Sequence, residues 1–175
     1  MKRLSIKIIL ALLAVAFIAC DDDNSLEELR LNELEILDTY ILENYPNVTP
    51  KESGLYYIET IAGEGDSLKL GDRIQIFYST WTIDSLLVDE SQGYNEGHRF
   101  EPLEFIVGTG AVITGLDEAV TYMKPGTKAR LVLPSEVAYG QNGDGIGYVA
   151  GFTTLLMEVE IYKVYPYPVA EDVEE

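Results

Sequence analysis

The side chains able to do chemistry are sparse here, and most stand alone. There is one histidine, His98, in the polar stretch QGYNEGHRFE, residues 92–101. A single histidine makes neither a metal cage nor a nucleophile–base relay, since both need partners. It reads as an exposed loop residue. The one cysteine, Cys20, rules out an internal disulfide. Asp21-Asp22-Asp23 is a poor cation site, because consecutive carboxylates on a chain end lack a fixed cage. No metal and no cofactor is expected. The glycines of GQNGDGIGYVAG, residues 140–151, invite a phosphate-loop reading. Such a loop sits between a strand and a helix, whereas TTLLMEVEIYKV, which follows here, has the pattern of a strand. A flap over a pocket fits better. Tyr139 opens that flap, and a buried tyrosine needs a polar partner for its hydroxyl. Asp89 reads equally as a pocket group or a solvated strand end.

The elements that must position these residues centre on residues 102–140. Leu103, Phe105 and Val107 alternate as a half-buried strand, a pattern that assigns Phe105 to the core. Gly108 and Gly110 bracket a turn. Thr114 stands ahead of Asp117 and Glu118 as an N-cap with acids in the first helical turn. Leu116, Val120 and Met123 lie at helical spacing, and Pro125-Gly126 ends the helix. Ala129, Leu131 and Leu133 then resume a period of two.

Upstream, residues 54–61 read as a first strand and RIQIFYSTWTI, from Arg73, as a long second one. In the latter Ile74, Ile76, Tyr78, Thr80 and Thr82 share a face. A last strand is expected over 153–164, followed by a frayed tail, YPYPVAEDVEE. Residues 25–45 read as a helix with a Ser25–Glu28 capping box. Its stripe of Leu26, Leu29, Leu34, Leu37, Tyr40, Ile41 and Tyr45 must be buried, either on the domain or against a second copy. The fold class is therefore α+β: a curved antiparallel sheet wrapped on one short helix, preceded by a helical arm.

The central stretch resembles the FKBP-type peptidyl-prolyl isomerases, whose pattern is a Val-Ile-x-Gly turn, two acids, a helix ending in Met, and a strand leading to Ala-Tyr-Gly. Here these are Val112-Ile113-Thr114-Gly115-Leu116-Asp117-Glu118, Met123 and Ala138-Tyr139-Gly140. The resemblance runs from about Ser53 to Val164. It includes the Gly71-Asp72 strand entry, and Leu87-Val88-Asp89-Glu90-Ser91 where the family has Phe-Asp-Ser-Ser.

The resemblance implies an isomerase of X–Pro bonds acting on proline-containing polypeptides. Tyr139 would donate to the substrate carbonyl, Asp89 would orient the hydroxyl of Tyr78, and Tyr78 would lie along a wall. Leu103 and Phe105 would line the side, Val112 and Ile113 the rim, Leu116 the floor, and Met157 the far side with Tyr148 or Val149. The Ile113 backbone N–H resembles the family's ligand donor. Aromatic positions of the family are aliphatic at Val88, Leu103, Leu116 and Met157, and Ile-Pro-Pro becomes Val149-Ala150-Gly151. These changes imply a wider, softer pocket, so the alternative is a weak or inactive binding module in a surface lipoprotein assembly.

With 175 residues and a formal net charge of −18, the chain is long enough for one domain and too acidic to attract nucleic acid. Lys2, Arg3 and Lys7 precede the apolar run IILALLAVAFIA, residues 8–19. That run is too short for a bilayer but suits a signal peptide. Phe17-Ile18-Ala19-Cys20 resembles a bacterial lipobox, which implies cleavage before Cys20 and lipid on its sulfur. The expected layout is a signal peptide over 1–19, an acidic linker and arm over 20–52, the FKBP-like domain over 53–164 and an acidic tail over 165–175. The expected location is the envelope of a Gram-negative bacterium, lipid-anchored at the outer membrane, with homodimerisation through the arm as a further possibility.

Overall fold

The computed structural model describes residues 22–91 and 101–167. Cys20, His98 and most of the acidic tail lie outside the described residues. Helix α1 spans Asp22–Asn44. Strands β1 (Tyr56–Ile61), β2 (Arg73–Thr82), β3 (Leu87–Glu90) and β4 (Leu103–Ile106) follow. Helix α2 (Thr114–Val120) then leads to β5 (Lys128–Leu133) and β6 (Leu155–Tyr165). Two short 3-10 turns, Ser135–Val137 and Gly140–Asn142, lie between the last two strands.

All pairings are antiparallel, in the order β1-β5-β6-β2-β3, with β4 also on β2. The spine is β2 against β6, from Arg73 opposite Tyr165 to Thr82 opposite Leu155. The other edge of β2 is divided, with Arg73–Ile76 pairing β4 and Ser79–Trp81 pairing β3. A bulge at Gln75/Ile76 interrupts the β2–β6 register, a device that sharpens twist and lets a sheet curl.

The period-two patterns sort side chains between two layers. Leu155, Met157, Val159 and Ile161 of β6 enter one core with Ile74, Ile76, Leu131 and Leu133. Helix α2 seals that core with Leu116, Ala119 and Val120. Each fully buried Leu or Ile here contributes roughly 1.5–3 kcal/mol. On the other face, Val132 and Leu156 meet Leu37 and Ile41 of α1, with Leu34, Tyr40 and Tyr45 packed around them. The arm's apolar stripe is thus buried in cis over much of its length, while Leu26 and Leu29 near its start stay exposed.

Three local expectations need correction. Helix α1 begins at Asp22, so Ser25 lies inside it and does not cap it. Helix α2 has Ile113 as its N-cap residue, with no side-chain cap, and Thr114 is already helical. Asp117, the acid of its first turn, accepts instead from the backbone N–H groups of Gly108 (2.7 Å) and Gly110 (3.0 Å). It thereby fixes the turn before the helix, in which both glycines hold positive φ. Finally, the start of the tail is held rather than frayed. Strand β6 continues to Tyr165, and the Tyr167 N–H donates to buried Asp72 at 2.8 Å.

Candidate functional site

The site begins where β2 meets β3. Thr80 lies opposite Asp89, which places Tyr78 on the diagonal from Asp89 and on the same face. The Tyr78 hydroxyl donates to Asp89 Oδ2 at 2.6 Å, as the resemblance implied. Ser91 secures the strand end, its Oγ accepting from the Tyr78 N–H at 2.9 Å. Burial, and then the hydrogen bond to Asp89, push the Tyr78 phenol above its ordinary pKa.

Tyr139 stands at the entrance to the flap and is 38% exposed. Its phenol is also raised, first by burial and then by the carboxylates of Asp89 and Asp144. The charge on Asp89 therefore reaches both tyrosines. Both phenols stay protonated near neutral pH and can act as donors.

The apolar residues bear on one cluster. Phe105, Leu116 and Met157 are buried members of it, and Tyr78, Val88, Leu103, Val112 and Ile113 are half-buried against it. The predicted rim is half-open, while Phe105, Leu116 and Met157 are 6%, 2% and 5% exposed. Those three form the packed layer beneath the surface. Between the two alternatives for the far side, buried Val149 joins this cluster and Tyr148 does not.

The flap is shaped by its own backbone. Asp144 accepts from the N–H groups of Ile146, Gly147 and Tyr148. Desolvation pushes its carboxyl upward, but the backbone hydrogen bonds together outweigh it and hold the carboxyl below the usual range. The Phe152 N–H donates to the Gly140 carbonyl at 3.0 Å and closes the loop.

Four further residues escaped the sequence reading. Asp144 carried a legible signal, since Asp ahead of spaced glycines is a common side-chain-to-backbone turn. Thr80 is 3% exposed, and its hydroxyl has no partner among the described residues. Nothing local in the sequence marks it. Glu33 and Ser135 are buried and hydrogen-bonded to each other across a great length of chain. A separate cleft of about 490 Å³ lies between α1, the β2–β3 turn and the flap, touching Ile36, Leu86, Tyr148 and Phe152. Tyr148, one of the two alternatives for the far side, lines it, and the other predicted site residues among those described do not. The paired-phenol geometry lies outside this cleft, and its hydrogen-bond donors, with a half-open apolar rim on the same core, mark the chemical site.

Comparison with known proteins shows the family and the fold. Residues 65–162 match the family model described as FKBP-type peptidyl-prolyl cis-trans isomerase. An FK506-binding protein of Neisseria meningitidis serogroup B is 37% identical over 112 residues, covering 64% of this chain and 97% of that protein. The FKBP-type 22 kDa peptidyl-prolyl cis-trans isomerase of Escherichia coli is 37% identical over 127 residues, 71% of this chain and 58% of that one. Among solved structures, FkpA from Escherichia coli superposes with a TM-score of 0.68 at 29% identity, covering 92% of this chain and 73% of that one. A peptidyl-prolyl cis-trans isomerase from Pseudomonas syringae gives 0.66 at 28%, covering 79% and 94%.

Proposed function

The chain belongs to the FKBP-type peptidyl-prolyl cis-trans isomerase family, and from that premise we propose that it turns X–Pro bonds of polypeptides at the cell envelope and so assists their folding. The observation that carries this reading is the hydrogen bond from Tyr78 to Asp89, whose charge also reaches Tyr139, with Leu103, Val112 and Ile113 half-buried against the same core as Tyr78.

The barrier to be lowered is amide resonance, about 18–20 kcal/mol. A twisted amide loses resonance and dipole, so an apolar, water-poor surface favours it over the planar form. Leu103, Val112 and Ile113 provide that surface, on the packed layer of Phe105, Leu116 and Met157. Tyr139 donates to the substrate carbonyl, and the Ile113 N–H offers a second anchor. Asp89 holds the Tyr78 hydroxyl so that the ring stays as a wall. No covalent step is required.

Residues 1–19 act as a signal peptide, and Cys20 carries lipid at the outer membrane of a Gram-negative cell. Residues 20–52 form the linker and arm, 53–164 the catalytic domain and 165–175 an acidic tail. Among the described residues no helix is long and apolar enough to cross a membrane. A second reading, binding without turnover, draws on the aliphatic floor at Leu116. Homodimerisation through α1 would use Leu31 and Leu42, which are 57% and 71% exposed and eleven residues apart, hence on one helix face.

A proline-peptide isomerisation assay on wild type and Tyr139→Phe tests the central reading. Catalysis that falls about tenfold in the variant supports it; binding without any rate enhancement in the wild type leaves the second reading. Labelled palmitate incorporation that vanishes in Cys20→Ser tests the anchor, and light scattering of the chain tests the dimer.

A further inference from the structure

Taking the flap as the cover of the proline site, we infer that Glu33 of α1 is a positioning residue for the isomerase, holding both feet of the flap and, through them, Tyr139. Glu33 Oε1 accepts from the Ser135 N–H at 2.7 Å and from the Thr154 hydroxyl at 2.9 Å. Its Oε2 accepts from the Ser135 hydroxyl at 2.7 Å and from Arg30 at 2.6 Å. Ser135 begins the 3-10 turn that delivers Tyr139, and Thr154 stands just before β6, where the flap ends. One carboxylate oxygen therefore ties the departing chain to the returning chain.

The burial argues for a specific role. Glu33, Ser135 and Thr154 are 3%, 2% and 4% exposed. A carboxylate removed from water is tolerated only when fully hydrogen-bonded, and here four bonds converge on it. Packing alone would be served by an apolar side chain of similar size. Arg30 extends the grip through its other nitrogen to Glu136 at 2.6 Å. The flap's internal bonds shape it but do not fix its feet to the sheet. Glu33 also lies outside residues 65–162, so the anchor comes from the arm and not from the part of the chain that matches the family.

Displacement of a positioned group by about 1 Å can cost on the order of 100-fold in rate. Loosening the feet should thus show in substrate affinity and turnover before it shows in global folding.

The test uses the full chain with Glu33→Gln, Thr154→Val and Ser135→Ala, read by proline-tetrapeptide kinetics and by hydrogen exchange of amides 140–153. The expected result is a kcat/KM at least about fivefold lower, with a raised KM. Flap amides should exchange about tenfold faster, while those of β2 and β6 keep wild-type protection. If Glu33→Gln fails to fold, Thr154→Val, which leaves the carboxylate its other partners, decides alone. Kinetics within about twofold of wild type with unchanged flap exchange overturn the inference. So does a lower active fraction at unchanged KM with β2 and β6 loosened equally, which is the behaviour of a generally weakened fold. A wild type that does not turn over peptides refutes the isomerase reading instead; the exchange data then report separately whether Glu33 holds the flap.

Discussion

Tyr78 and Asp89 are joined across the β2–β3 ladder by a 2.6 Å hydrogen bond, phenol to carboxylate. Tyr139 feels the charge of the same carboxylate. The two tyrosines are therefore not equivalent: one has a fixed partner, and the other has none among the described residues. Tyr78→Phe should lower stability by about 1 kcal/mol, a modest figure because Asp89 is exposed. Tyr139→Phe should leave stability within about 0.5 kcal/mol and still reduce kcat/KM about tenfold. Denaturant melts beside isomerase kinetics check both; equal stability losses in the two variants would contradict the asymmetry.

The raised phenols predict the alkaline limb of activity. A raised folded pKa means the protonated form is favoured, and its contribution persists below the ordinary value of 10.0 and disappears as pH climbs through the folded one. Isomerase activity should stay level up to about pH 10 and decline only above it. A decline centred near pH 9 would show that neither phenol is protected.

Acid acts elsewhere. Burial pushes Glu33 upward, but the bonds from Ser135, Arg30 and Thr154 outweigh it and hold the carboxyl below its ordinary value of 4.5. Its stabilising effect is present above that value and is lost as pH falls through the lower folded one. The ionisable groups facing it from the contacting elements are Arg30 and, beyond it, Glu136. Thermal melts of wild type and Glu33→Gln should therefore converge below about pH 4 and diverge above it. Parallel curves across the range would remove Glu33 from the account of acid stability.

Thr80 offers a gain. Its buried hydroxyl is unpartnered among the described residues, so replacing it with a methyl group of the same shape removes an unmet hydrogen-bonding demand. Thr80→Val should raise stability by about 1 kcal/mol in a urea melt. A loss of that size would mean that the hydroxyl has a solvent partner.

Gly151 and Gly143 mark the flap's crossing point. A Cβ on Gly151 would collide with the Gln141 carbonyl, and one on Gly143 with that of Val149. Both obstacles are backbone, which cannot rotate aside. Gly143 also holds a φ of 70°. Gly151→Ala should cost about 1–3 kcal/mol and lower kcat/KM at least about tenfold. Gly65→Ala, where a Cβ meets open space but the backbone holds a φ of 89°, should cost stability through strain and, lying outside the flap, leave kcat/KM alone; a loss of kcat/KM in both would point to a non-specific cause.

What the sequence revealed was whatever repeats locally. The alternation of Ile74, Ile76, Tyr78 and Thr80 fixes the inward face of β2, and that face presents Tyr78 to Asp89. The spacing of Leu116, Ala119 and Val120 fixes the buried side of α2. The caps were misread because Ser25 and Thr114 have the right chemistry at the wrong turn: α1 starts a turn earlier, and Asp117 reaches the preceding loop. Glu33 was illegible for a different reason. It stands in an acid-rich helix among glutamates that face solvent, and only the return of residues 135 and 154 distinguishes it.

The limits of the family match have a practical meaning. Residues 65–162 omit β1, which pairs with the outer edge of β5 from Tyr56 opposite Val132 to Ile61 opposite Lys128. A lobe transplanted at those limits would carry a bare row of amides and carbonyls beside an uncapped greasy patch at Val132 and Leu156. Such an edge recruits strands from other molecules. A graft cut there should clump, and one beginning ahead of the arm should stay dispersed.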